Sequence, residues 1–111
     1  PSHTEKVIPQ PAADMFQTPE AIILVIDLPV LAKEDIALSI SGRKINIRGT
    51  ARLAFSVEQL IHSERLNGSF DRTLDLPIEV ESSKAVATFQ QGILEIRIPR
   101  AHSTQQSINI D

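Results

Sequence analysis

Between Ile22 and Ile98 the chain is cut into short stretches whose apolar side chains recur at every second residue, each stretch bounded by Gly, Pro, Asn or Ser. Period two places alternate side chains on one face of an extended strand, whereas a helix needs a period near 3.6 sustained over a longer window. Ile22-Ile23-Leu24-Val25-Ile26 follows Pro19 and closes at Leu28-Pro29, a short β-branched run that reads as a buried strand. Ile36, Leu38 and Ile40 alternate with Ala37, Ser39 and Ser41; across Ser41-Gly42-Arg43-Lys44, Ile45 and Ile47 alternate with Asn46 and Arg48. These two strands are expected to form a hairpin. After Asn67-Gly68, Phe70, Arg72, Leu74 and Leu76 share a face up to Pro77. Ala85, Ala87 and Phe89 share another, Gln91-Gly92 makes a turn, and Leu94, Ile96 and Ile98 complete the pattern. Roughly seven or eight short strands with no helix of useful length predict an all-β, antiparallel β-sandwich.

The 111 residues suit a single domain. With 41% apolar residues but only 4% aromatic (four Phe, no Trp, no Tyr), the core has to be aliphatic. No cysteine means no disulfide framework, no thiolate nucleophile and no cysteine-ligated zinc. A net charge of −3 gives no overall electrostatic grip on nucleic acid. Arg43, Lys44 and Arg48 lie near one hairpin without aromatic stacking partners, so no nucleic-acid partner is expected. No apolar run approaches a membrane span, so none is expected. Residues 1–12, rich in proline, read as the remnant of an N-terminal arm; 13–100 as the sandwich; 101–111 as a C-terminal extension. Within the sandwich, residues 50–63 break the alternation, with Leu53, Phe55, Val57, Leu60 and Ile61 unevenly spaced, and read as an excursion carrying one short strand, or else a helical turn, near Glu58 to Ser63.

No convergent catalytic set is present, and an enzyme is not expected. His62 and Ser63 would point to opposite faces of a strand, so His62-Ser63-Glu64 is no relay. His3, His62 and His102 are too scattered to suggest a metal site. No cofactor signature occurs. Asn67-Gly68-Ser69 fits a glycosylation sequon but reads as a turn. Two features ask for partners. Arg72 sits on an otherwise apolar strand face, where a charge is costly unless hydrogen-bonded, so a carboxylate or backbone carbonyl is expected beside it. Ile108-Asn109-Ile110 follows a polar linker and presents two branched side chains on one side of an extended segment. It is either a docking peptide or an eighth strand folded back on its own domain.

Asp27-Leu28-Pro29 followed by Lys33-Glu34-Asp35-Ile36, the strand Ile45-Asn46-Ile47-Arg48-Gly49, Ser63-Glu64-Arg65 with Gly68, Phe70 and Arg72 leading to Leu76-Pro77, Ala87 to Gly92-Ile93-Leu94 running on to Ile98-Pro99-Arg100, and the terminal Ile108-Asn109-Ile110 occur in one order over Ala13 to Asp111. In that order and spacing they resemble the small heat-shock proteins, the alpha-crystallin domain family, in its prokaryotic and plant branch. Val30 stands where the family usually has glycine, and Gln91-Gly92-Ile93-Leu94 replaces a commoner Asn-Gly-Val-Leu. The resemblance implies an immunoglobulin-like sandwich and an ATP-independent holdase that binds partly unfolded clients and keeps them from aggregating. It implies a homodimer in which Glu58, Leu60, Ile61 and His62 of the excursion form a strand exchanged onto Met15 and Phe16 of the other copy, with Arg72 on the dimer-facing strand. It further implies larger homo-oligomers in which Ile108 and Ile110 dock in a groove between Ile36–Ile40 and Lys84–Phe89, for which Leu38, Ile40 and Val86 are the expected lining. The runner-up is the related sandwich of co-chaperone binding modules, which lacks both the exchanged strand and the Ile-x-Ile tail. A cytoplasmic location is expected, since the lack of cysteine suits a reducing compartment.

Overall fold

The computed structural model describes residues 10–51, 61, 62, 64, 66, 68–101 and 110. Seven strands cover most of them: β1 (Ala13–Gln17), β2 (Ala21–Asp27), β3 (Ile36–Ser41), β4 (Lys44–Ala51), β5 (Gly68–Asp75), β6 (Val86–Gln90) and β7 (Ile93–Pro99). The helical elements among the described residues are two short 3-10 turns, Lys33–Asp35 and Ser82–Lys84. All pairings are antiparallel, in a four-stranded sheet of order β1-β2-β7-β6 and a three-stranded sheet of order β3-β4-β5.

Register follows the alternation. Ile22, Leu24 and Ile26 of β2 stand opposite Ile98, Ile96 and Leu94 of β7, and Ile45 and Ile47 of β4 stand opposite Ile40 and Leu38 of β3. A slip by one residue would turn these sets to solvent. Among the described residues nine side chains are essentially fully buried (Ile22, Leu24, Ile26, Leu28, Ile45, Ile47, Leu76, Ile96 and Ile98), all aliphatic; Phe70 is the one buried aromatic among the described residues, with Phe89 partly buried against the core. Each contributes about 1.5–3 kcal/mol relative to exposure. The uninterrupted run of β2 is explained by its central place: Ile22, Leu24 and Ile26 fill the core, while Ile23 and Val25 are half-buried on the outer side.

Several expectations shift. Thr50 and Ala51, read as the start of the excursion, belong to β4, where they pair with Ser69 and Gly68, and Ala51 is buried. Gly49 hid this continuation because it interrupts the apolar pattern without interrupting the strand. Lys84 lies in a 3-10 turn closed by Ala85 N donating to Ser82 O at 3.2 Å, so the sixth strand starts at Val86. Gln91 is the only described non-glycine residue with positive φ, so Val30 adopts backbone angles that any residue can take. The strand expected around Glu58 to Ser63 falls almost wholly outside the described residues.

Candidate functional site

β6 ends the four-stranded sheet and β3 ends the three-stranded sheet, and on this side of the sandwich the two edges leave a groove. Two cavities lie along it. One, about 390 Å³, is lined by Leu38, Ile40, Ile45, Ala85, Ala87 and Ile96, with Ser39, Ser82 and Ser83 supplying hydroxyls. The other, about 250 Å³, is lined by Lys33, Ile36, Leu38, Ala87, Thr88, Phe89 and Leu94. Leu38 and Ala87 line both and stand between them. The small Ala85 and Ala87 leave the space, and the larger Ile45, Ile96 and Leu94 form its apolar floor. Leu38 and Ile40 are where the sequence reading puts them. Val86 is not: it is 61% exposed, pairs with Arg97, and by alternation points to the opposite face of β6 from Ala85 and Ala87.

The other side of the sandwich is bounded by β1 and β5. β1 uses one edge to pair with β2, with Met15 opposite Leu24 and packed on the core, and Phe16 opposite Ile23 and 53% exposed. Arg72 is half-buried on the inner face of β5 between Phe70 and Leu74, and its Nη1 donates to the Pro11 carbonyl. This is a backbone partner of the expected kind. It fixes the point where the chain enters β1. Ile61 is almost fully exposed, and the His62 Nε2 lies 3.1 Å from Glu64 Oε2 with both side chains in solvent. Glu58, Leu60 and Ile108 lie outside the described residues. Ile110 is 96% exposed and is therefore not seated in the groove of its own chain.

The outer face of β4 and β5 is polar. Asn46 Nδ2 donates to Asp71 Oδ1 and to Thr73 Oγ1, and the Lys44 ammonium donates to Asp75 Oδ1 at 2.8 Å. That hydrogen bond and the Lys44 charge hold the Asp75 carboxyl below the usual carboxylate range. An open hollow of about 770 Å³ near this face is lined by the charged Glu34, Asp35, Arg48 and Asp71 together with Ile36 and Phe70. Among the described residues no group of three His, Cys, Asp or Glu is placed to hold a metal ion. The groove between β3 and β6 is suited to binding apolar segments.

Sequence reasoning missed Lys33, Ile36, Ala85, Ala87 and Phe89 as groove residues. The signal was present, because Ala85, Ala87 and Phe89 alternate on the inward face that any ligand between β3 and β6 would touch.

Fold and groove together define an all-β sandwich of two antiparallel sheets with a binding edge. The chain belongs to the Hsp20/alpha crystallin family, which matches residues 14–111. It is 30% identical over 109 residues to small heat shock protein C4 of Rickettsia felis, covering 95% of this chain and 66% of that protein. It is 28% identical over 99 residues to heat shock protein 16 of Schizosaccharomyces pombe, covering 86% of this chain and 69% of that protein. The chain thus spans about two-thirds of the length of these relatives. Among solved structures, a small heat-shock protein from Xylella fastidiosa superposes with a TM-score of 0.75 at 28% identity, covering 95% of this chain and 99% of that one. Heat shock protein 16.0 of S. pombe superposes with a TM-score of 0.72 at 27% identity, covering 91% and 97%. Family membership supports a chaperone role. No helix among the described residues is long and apolar enough to cross a membrane.

Proposed function

We propose that the chain is an ATP-independent holdase of the cytoplasm, which binds partly unfolded proteins and prevents their aggregation, working as a strand-exchanged homodimer that assembles further through its C-terminal tail. The observation that carries this reading is the paired cavity between β3 and β6. Residues two apart on an extended segment project to the same side at about 7 Å spacing, which would let Ile108 and Ile110 each enter one of two adjoining apolar cavities. Burying two isoleucines offers about 3–6 kcal/mol before ordering costs. Each contact is therefore weak, and repetition around an oligomer makes the assembly cohesive but exchangeable. The exposure of Ile110 favours docking into another copy over folding back. Exchange of the strand carrying Glu58, Leu60, Ile61 and His62 is supported by the outer edge of β1, which pairs with no other described strand, and by the exposed Phe16 on it. Sedimentation velocity of the chain against its Ile108→Ala/Ile110→Ala variant tests the assembly. The expected result is that the variant sediments as a dimer while the parent forms larger species; identical profiles would remove the tail from the account.

A further inference from the structure

The groove is asymmetric in charge. Among the described residues Lys33 is the one charged residue that lines either cavity, and it belongs to the cavity formed with Phe89 and Leu94. The other cavity is rimmed by the hydroxyls of Ser82 and Ser83. The neighbouring charges face elsewhere: Glu34 and Asp35 wall the hollow on the far side of their turn, with Asp35 Oδ2 accepting from Ala32 N, and Glu81 and Lys84 line a separate hollow with Glu20 and Arg100. Lys33 makes no ion pair with any described residue. The tail is asymmetric too, since Ile110 is followed directly by Asp111 while Ile108 is preceded by Ser107. An extended segment with two equivalent isoleucines could enter two cavities in either direction, so something other than apolar burial has to choose.

We propose that Lys33 sets the direction of docking: the tail of a second copy lies with Ile110 in the Lys33 cavity and Ile108 in the Ser82–Ser83 cavity, bringing the Asp111 carboxylate to the Lys33 ammonium. The inference rests on the tail-docking reading above and adds its polarity and a positioning residue. The reverse orientation leaves Asp111 beside Ser82 and Ser83, in a cavity that no charged residue lines among the described ones, and so without an ionic partner. Because Lys33 is solvent-exposed, the pair contributes about two- to fivefold in affinity and weakens with salt. It decides orientation more than strength.

The test uses the full chain carrying Ile108→Gly and Ile110→Gly, so that its own tails do not compete, and a synthetic peptide of residues 101–111. The peptide is amidated, so Asp111 supplies its one carboxylate, and it carries a nitroxide at either end. Amide signals are followed by NMR. With the label next to Asp111, broadening is expected at Lys33 and Phe89; with the label at the other end, at Ser82 and Ser83. Lys33→Glu should weaken binding about two- to fivefold, and a peptide with Asp111→Lys should restore it on that variant. Broadening in the reverse pattern, or affinity indifferent to both charge changes, would overturn the role of Lys33 while leaving the groove as the docking site. A peptide that shifts no signal of Leu38 or Ala87 at millimolar concentration would overturn the docking reading, and this inference with it.

Discussion

Gly49 sits where three parts of the chain meet. A Cβ built there would lie 2.6 Å from the Asp35 carbonyl oxygen and 2.8 Å from Phe70 Cζ, closer than real Cβ atoms come, and the nearest contact is backbone that cannot swing aside. Gly49→Ala is therefore expected to destabilise the sandwich by about 1–3 kcal/mol, read as a lower midpoint in urea at an unchanged slope. At Gly92 the cause is different: with Gln91 it forms a two-residue hairpin turn with both φ values positive, and it packs against Pro29. The Gln-Gly pair announced that turn. Nothing in the sequence announced the crowding at Gly49, because it comes from chain segments more than ten residues away. Lys44 and Asp75 give a pH prediction. The folded-state pKa of Asp75 is depressed, so its contribution to stability is present above the ordinary carboxylate value and is lost as pH falls through the folded one. Lys44→Ala should lower Tm slightly at neutral pH and not at all below the carboxylate range; a difference independent of pH would show that the loss comes from packing alone.

At the scale of elements, β1 is held more lightly than its neighbours. It is a five-residue edge strand with one partner, and its entry is pinned by Arg72 reaching across to Pro11. Arg72→Ala removes a charged donor to a carbonyl, expected to cost about 1–2 kcal/mol. The effect should concentrate at β1: hydrogen exchange of Asp14 and Phe16, whose amides face β2, should speed up far more than that of Leu24 or Ile96. Uniform acceleration throughout would mean that Arg72 supports the whole sandwich instead. The core strands were legible because their period is two and their turns carry Gly or Pro. The end of β4 was not, because glycine and threonine carry no hydrophobic signature. Val86 was misplaced for a simpler reason: the apolar residue was preferred over the small one, although Ala85 and Ala87 share the inward face and their small size is what opens the cavities.

For the whole molecule, the two open sides of the sandwich do different work. The β3–β6 side has two apolar cavities, and the β1 side has a strand edge that pairs with no other described strand, with Phe16 beside it. In the proposed assembly both sides take segments of other copies, the excursion after β4 and the Ile-x-Ile tail. An aliphatic, aromatic-poor core and shape-tolerant aliphatic docking contacts suit a protein whose associations are many and individually weak. The central claim is that this sandwich keeps unfolding proteins in solution without a nucleotide. It is tested most directly by light scattering from a thermally aggregating client, heated with and without an equimolar amount of the chain. The account predicts that the chain suppresses most of the scattering and that added ATP changes nothing. Scattering that rises identically with and without the chain, even at several-fold excess, would contradict it.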